Sequence, residues 1–117
     1  MPRRKLTDID VLHNIIEDVK RVYSEINIRQ IRLCYLFSTL KEEWTKEMED
    51  GYGSFNYFLA DIGTSITVAE PMIRMGKYFR KQNVKAEQIE DIPWTKLNLA
   101  SIKELELDDE MISNLRE

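Results

Sequence analysis

Cysteine and histidine are scarce in this chain, which holds one of each in 117 residues. Cys34 has no second cysteine with which to form an internal disulfide, so we expect a reducing compartment, the cytoplasm. His13 has no companion at metal-ligand spacing, and no nucleophile stands beside a base in a recognisable arrangement. We therefore expect no metal site, no cofactor and no catalysis.

Long apolar runs and glycine-rich loops are also missing. No segment approaches the roughly 20 apolar residues that span a bilayer, and residues 1–10 lack the apolar core of a signal peptide, so we expect no membrane partner. The only glycine-rich stretch, residues 50–53, lacks the Lys-Ser/Thr pair of a phosphate-binding loop, and we interpret it as a turn. No segment alternates polar and apolar residues as a strand would, so we predict an all-α fold.

The charge of the chain is mildly acidic overall and unevenly distributed. Its net charge of −4 argues against indiscriminate nucleic-acid binding, which depends on neutralising phosphates. A specific binder stays open, because the distribution of charge matters more than its sum. Basic residues cluster at Arg3, Arg4 and Lys5 and again at Arg74, Lys77, Arg80, Lys81 and Lys85, whereas acid gathers at Glu42, Glu43, Glu47, Glu49 and Asp50.

The composition, with 43% hydrophobic and 32% charged residues, is that of one globular domain. We predict a flexible basic arm over residues 1–6 and a single compact helical domain over residues 7–117. Thr7 is placed to cap a first helix, whose apolar stripe we expect to be buried. Its members are Ile9, Leu12, Ile16, Val19 and Tyr23.

A second helix is predicted from Ile28 to about Met48, because Asn27 and Gln30 have the spacing of a capping box. The C-terminal helices should occupy about residues 85–117. They comprise a short helix over residues 85–91, one with Pro93 at its first position, and an acidic one over residues 108–117.

The centre of the domain, about residues 54–80, has the pattern of a helix-turn-helix. Two apolar stripes at three- and four-residue spacing flank Gly63, which suits the left-handed conformation that ends many helices. The first stripe is Phe55, Phe58, Leu59 and Ile62, and the second is Ala69, Ile73, Gly76 and Phe79. The small Gly76 should let these two helices pack closely against each other.

Three hydroxyl residues, Thr64, Ser65 and Thr67, stand where the second helix of this pair should begin. Thr67 and Glu70 have the spacing of a capping box. With that cap, Pro71 falls in the first turn or just beyond it, where a proline costs little; a helix that starts at Ser65 would kink.

The middle of the chain resembles small helix-turn-helix proteins of phages, plasmids and integrative elements, and distantly the ParB-type partition proteins. The resemblance covers roughly residues 27–100 and includes the segment Ile-Pro-Trp-Thr-Lys-Leu at residues 92–97. Its two ordered motifs contain Gly51, Tyr52, Ser54, Phe55, Ile62, Gly63, Ser65 and Ala69. The resemblance implies a DNA-binding protein, regulatory or accessory, of a phage or mobile element.

For binding to double-stranded DNA, turn hydroxyls and a helix N-terminus can hold phosphates, and basic residues further along the helix can reach phosphates or bases. The basic arm can enter a neighbouring groove. These roles fall to Thr64, Ser65, Thr67, Arg74, Lys77, Arg80 and Lys81, and in the arm to Arg3, Arg4 and Lys5.

A non-catalytic protein-binding module is the alternative, an adaptor or host-factor inhibitor that keeps the helix-turn-helix without reading DNA. Similar proteins usually carry a basic residue and an aromatic early in the second helix, where this chain has Ile66, Val68, Glu70 and Pro71. A protein partner would meet the acidic face formed by Glu42, Glu43, Glu47, Glu49 and Asp50. The sequence leaves a homodimer open.

Overall fold

The computed structural model of the protein describes residues 9–117, and it is helical throughout that range, with no strand. The all-α prediction is confirmed for these residues, while the predicted arm, including Arg3, Arg4 and Lys5, lies outside them. The helices are α1 (Ile9–Glu42), α2 (Lys46–Tyr52), α3 (Phe55–Asp61), α4 (Ile66–Lys81), α5 (Ala86–Ile89), α6 (Trp94–Ile102) and α7 (Asp109–Arg116).

α1 is one continuous helix of 34 residues, so the predicted break at Asn27 is wrong. Neither glycine nor proline occurs between Ile9 and Glu42 to interrupt it. Asn27 lies inside the helix, and its side chain hydrogen-bonds a distant loop instead of its own helix: Nδ2 donates to the carbonyls of Glu90 (3.1 Å) and Ile92 (2.7 Å), and Oδ1 accepts from the backbone N–H of Trp94 (2.7 Å).

The N-terminal part of α1, residues 9–26, extends from the rest of the fold, and we call it the stem. Every one of its side chains is exposed, so the predicted burial of its apolar stripe is wrong. The radius of gyration is 18.7 Å, whereas a compact chain of this length has about 13 Å, as expected when one helix extends from the rest. The periodicity predicted a helix correctly, but it carries no information about what covers the apolar face.

The remainder of the protein is built on the crossing of α1 and α4. Gly76 allows this crossing, because a Cβ built on it would lie 1.9 Å from the carbonyl oxygen of Cys34 in α1. The close approach that Gly76 permits is thus between α4 and α1, whereas the sequence suggested α3 as its neighbour. The main core around this crossing consists of Ile31, Cys34, Met75, Phe79, Val84, Ile89, Ile92, Leu97, Ala100, Leu107 and Ile112.

A second apolar cluster lies at the other end of the crossing, where α3 packs on α1 and α4. It buries Phe37, Phe55, Leu59 and Ala69, with Trp44 packed edge-on against Phe55 at 5.4 Å between ring centroids. Phe58 of α3 and Ile73 of α4 pack against this same cluster. Helices α3 and α4, which flank the turn between them, therefore share this one apolar cluster.

Residues 43–53 differ from the prediction. The long helix ends at Glu42, well before Met48, and residues 50–52, predicted as a turn, lie within α2. Thr45 caps α2 by accepting a hydrogen bond from the N–H of Met48 (3.2 Å). The Trp44 indole N–H donates to the carbonyl of Gly53 (3.2 Å), and this contact spans α2.

The connection from α3 to α4 turns at Gly63, whose φ of +93° confirms the predicted left-handed conformation. Ser65 caps α4 by accepting from the N–H of Val68 (3.4 Å), so the cap is not Thr67. Pro71 then lies in the second turn of α4 and offers no N–H to the carbonyl of Thr67, which is an exposed residue near the helix start. Water can satisfy that carbonyl, which limits the cost of the proline.

Replacing Gly63 with valine should lower the free energy of unfolding by about 1 kcal/mol or more, since a β-branched residue is strained at positive φ. A Cβ at Gly63 meets nothing within 4 Å, so the effect should come from the backbone alone. Gly63→Asn is the matched control, because asparagine tolerates the left-handed region. Urea unfolding of both variants checks this; equal stability of the valine variant and the wild type would contradict it.

The C-terminal helices follow the predicted positions closely. α5 begins after Lys85, Pro93 occupies the cap position before α6, and the Asp108 carboxylate caps α7 by accepting from Met111 N–H (2.8 Å). Leu97 of α6 is fully buried. These helices cover the α1–α4 crossing and place α6 alongside α4.

Candidate nucleic-acid interface

The outer face of α4 carries the polar residues of the predicted site. Because α4 buries its opposite face in both cores, residues at three- and four-residue spacing on the outer side stay exposed. From the N-terminal end this exposed row comprises Thr67, Glu70, Arg74, Lys77 and Lys81. The carboxylate of Glu70 thus separates the hydroxyl at the helix start from three basic side chains in its later turns.

Arg74 is held against α6 by two hydrogen bonds. Its guanidinium donates to Asn98 Oδ1 at 2.7 Å and to Ser101 Oγ at 3.3 Å. An arginine has five N–H donors, so donors remain for a ligand while the group is fixed in position. Nothing in the sequence around α6 indicates that Asn98 and Ser101 bind Arg74, because these contacts join residues 24 and 27 positions apart.

Lys77 and Lys81 follow Arg74 on the same side, along a groove of about 460 Å³ between α4 and the end of α6. Neither lysine makes a hydrogen bond or ion pair with another residue in the described part of the chain. Their ammonium groups are therefore unpaired at the protein surface, although the carboxylate of Glu104 lines the same groove. We call Arg74, Lys77 and Lys81 the α4 basic face.

Arg80 lies on the other side of α4, towards α1. Its guanidinium pairs with the carboxylate of Glu42 and contacts Ser38 Oγ at 3.4 Å. The structure therefore separates Arg80 from the α4 basic face and neutralises its charge within the protein. The sequence grouped the basic residues of α4, which are Arg74, Lys77, Arg80 and Lys81. In the structure α1 packs beside Arg80 and separates it from the other three.

The three turn hydroxyls have different surroundings. Ser65 is engaged as the cap of α4, Thr64 is half-buried in the turn, and Thr67 is exposed in the first turn of the helix. Thr67 lies seven residues before Arg74, about 10 Å along the helix axis at 1.5 Å per residue. The structure therefore does not bring the hydroxyls and the α4 basic face into one tight cluster.

The predicted acidic face divides in a similar way. Glu42 is paired with Arg80, as described above. The other members are exposed at the end of α1 and along α2, and they are Glu43, Glu47, Glu49 and Asp50. Thus four exposed carboxylates remain without an ion pair among the described residues, just after α1 and along α2.

The single thiol is chemically inert. Cys34 is completely buried beneath Gly76, and this burial raises the pKa of its thiol to about 12, so it stays protonated at neutral pH. Residues 9–117 contain no group of three or more His, Cys, Asp and Glu side chains arranged to hold a metal ion. Within the same range no helix is both long enough and apolar enough to cross a membrane.

Comparisons with protein-family models, with curated proteins and with solved structures find no match to this chain. The resemblance to small helix-turn-helix proteins therefore stays a prediction. The chemistry of the site rests on the described side chains, and above all on the α4 basic face.

Proposed function

We propose that the protein binds double-stranded DNA, with α3, the turn at Gly63 and α4 acting as a helix-turn-helix. The observation that carries this proposal is the α4 basic face, three positive side chains on the exposed side of one helix. In the inferred complex α4 approaches the duplex with this face. On the resemblance, we infer a non-catalytic regulatory or accessory role for a phage or mobile element, in the cytoplasm.

The chemistry favours contacts to the DNA backbone. Lys77 and Lys81 are unpaired ammonium groups, and neutralising phosphates with them would release condensed counterions. Arg74, fixed by Asn98 and Ser101, would lose little side-chain freedom when it donates to a phosphate, because its position is already set. Glu70 would repel a phosphate near the start of α4, so the closest approach should lie over the later turns of the helix.

The test measures binding to random duplexes, and to DNA flanking the gene, by fluorescence anisotropy from low to physiological salt. The double variant Lys77→Ala/Lys81→Ala should reduce the slope of log affinity against log salt by about 0.9 for each phosphate that the protein no longer neutralises. Arg74 is left intact, because its bonds to α6 would mix folding with binding. Glu70→Gln should strengthen binding by removing a repulsive charge.

The matched control is Lys46→Ala/Lys85→Ala, which removes the same charge from exposed positions in α2 and before α5. It should leave the salt slope close to that of the wild type. An equal loss in both double variants would show that net charge, and not the α4 basic face, governs binding. Failure of the intact protein to bind any duplex at low salt would end the DNA proposal.

A protein-binding role is the second candidate, and the exposed carboxylates of α2 favour it. Glu47, Glu49 and Asp50, together with Glu43, make no ion pair within the described residues. Such a surface suits a basic protein partner. Loss of partner capture in Glu43→Gln/Glu47→Gln, without loss in Glu70→Gln, would support this candidate.

A further inference from the structure

The stem of α1 exposes a continuous apolar face. Its large apolar side chains are between 40% and 70% exposed, although they recur on one side of the helix. A face of this kind on a soluble protein marks a surface that another molecule covers. The residues of this face, which we call the stem stripe, are Ile9, Leu12, Ile15, Ile16, Val19, Val22, Tyr23 and Ile26.

The spacing of the stem stripe is that of a helix-packing seam. Six of its members follow alternating steps of three and four residues, the a and d positions of a heptad pattern. Ile15 and Val22 widen the seam on one side by occupying the g positions. A second helix with the same pattern fits such a seam, because knobs of one copy enter holes of the other.

The area of the stem stripe matches what a stable association needs. From the fractional exposures, its side chains present on the order of 800 Å² to solvent, close to the area that each partner buries in a standard specific interface. The described remainder reaches only the C-terminal end of the stripe, where Tyr23 shares a groove with Glu90 and Pro93, and it leaves the rest of this area uncovered. A self-association through the stem would therefore bury an ordinary dimer interface without rearranging either core.

The charges of the stem give the orientation. Residues 9–18 contain Asp10, Glu17 and Asp18 and no lysine or arginine, whereas residues 19–26 contain Lys20, Arg21 and one carboxylate, Glu25. The ion pairs Glu17–Lys20 (3.5 Å) and Asp18–Arg21 (3.0 Å) mark the boundary between the two halves. Antiparallel stems place the acidic half of each copy beside the basic half of the other, while parallel stems place like charges together.

We propose that the stem stripe is the interface of a homodimer, in which the α1 stems of two copies pack antiparallel. With the stems fully overlapped, Ile16 of one copy faces Val19 of the other, and Leu12 faces Tyr23. The two α1–α4 bodies then lie at opposite ends of the pair. This inference stands on the stem alone and does not depend on DNA binding.

Sedimentation velocity on the full chain tests the association. The wild type should sediment at about twice the 13.9 kDa of one chain, and Val19→Glu should shift it to the monomer at the same concentration. Asn14→Glu is the matched control, because it adds the same charge to the opposite side of the stem and should leave the dimer intact. Circular dichroism of each variant shows whether the helices are retained.

Several outcomes would overturn the homodimer. A wild type that is monomeric at about 100 µM, on the order of the concentrations at which weak dimers form, would overturn the homodimer. If that monomer co-sediments with anionic lipid vesicles, the stem stripe binds a lipid surface instead. A dimer that survives Val19→Glu as well as Asn14→Glu would place the interface elsewhere. A wild-type tetramer would replace the pair with a larger bundle.

Cysteine cross-linking tests the orientation. A mixture of Leu12→Cys and Tyr23→Cys chains should form the mixed disulfide dimer under oxidised glutathione, while Leu12→Cys alone should not link to itself. In an antiparallel pair two copies of residue 12 lie about 16 Å apart at 1.5 Å per residue, too far for a disulfide. Efficient self-linking of Leu12→Cys would instead show parallel stems. The native Cys34 does not interfere, because it is buried.

Discussion

Gly76→Ala is expected to destabilise the protein by about 3 kcal/mol or more, at the upper end of the range for overpacked cores. The added Cβ would lie 1.9 Å from the carbonyl oxygen of Cys34, 2.5 Å from its carbonyl carbon and 2.7 Å from Ser38 Oγ. Two of these atoms belong to the backbone of α1, so a side-chain rotation cannot relieve the contact. The helices must move apart, which opens the main core on both sides of the crossing.

Urea unfolding monitored by circular dichroism, at one fixed protein concentration, measures this effect. Gly51→Ala is the matched control, since Gly51 lies in α2 and a Cβ there meets nothing within 4 Å. In a helix alanine is favoured over glycine, so the control should be neutral or slightly stabilising. If Gly76→Ala were as stable as Gly51→Ala, the close approach of α1 and α4 would be wrong.

Asn27→Ala should lower the free energy of unfolding by about 2 kcal/mol, because three hydrogen bonds of about 1 kcal/mol each are removed and a small gain in helix propensity offsets part of this. The bonds join the middle of α1 to the loop between α5 and α6, at the carbonyls of Glu90 and Ile92 and the N–H of Trp94. Without the Asn27 side chain, the backbone N–H of Trp94 at the start of α6 has no side-chain acceptor among the described residues.

Two companion variants separate this role from a general effect of removing an asparagine from α1. Asn14→Ala changes the same residue type in the exposed stem and should not destabilise the protein. Asn27→Asp keeps an acceptor for the Trp94 N–H but sets a carboxylate oxygen against the carbonyl oxygens of Glu90 and Ile92, so it should be at least as destabilised as Asn27→Ala. Thermal unfolding ranks the stability of the three variants. A loss of stability in Asn14→Ala equal to that in Asn27→Ala would contradict a stabilising role for the hydrogen bonds between Asn27 and the α5–α6 loop.

Local signals predicted the shorter elements well. Gly63 adopts the expected positive φ, and α5, α6 and α7 lie close to their predicted ranges, although Pro93 is the cap of α6 and not its first residue. Each of these features depends on interactions within a few residues, so the sequence contains all the information that it requires. The error at residues 50–52 has the same origin, since Gly51 and Gly53 suggested a turn although Thr45 supplies a cap for a short helix.

The candidate site was predictable only in part. The exposed row of α4, with Arg74, Lys77 and Lys81, follows from helical periodicity once α4 is identified. The anchoring of Arg74 on α6 and the pairing of Arg80 with Glu42 join residues 24 to 38 positions apart, and no local pattern predicts them. The sequence therefore identified the basic residues of α4, and packing separated those with free charge from those already paired.

Two residues of α1 show where the sequence was sufficient and where the tertiary structure decided. The side-chain amide of Asn27 can form hydrogen bonds either as a helix cap or with a distant loop. Only the packing of α5 and α6 beside α1 selects the loop. The stripe around Val19 determined a helix with one apolar face, because periodicity is a property of the chain itself. Whether that face is covered depends on where the other helices find space, and they gather at α4, where Gly76 permits close contact, which leaves the stem stripe exposed.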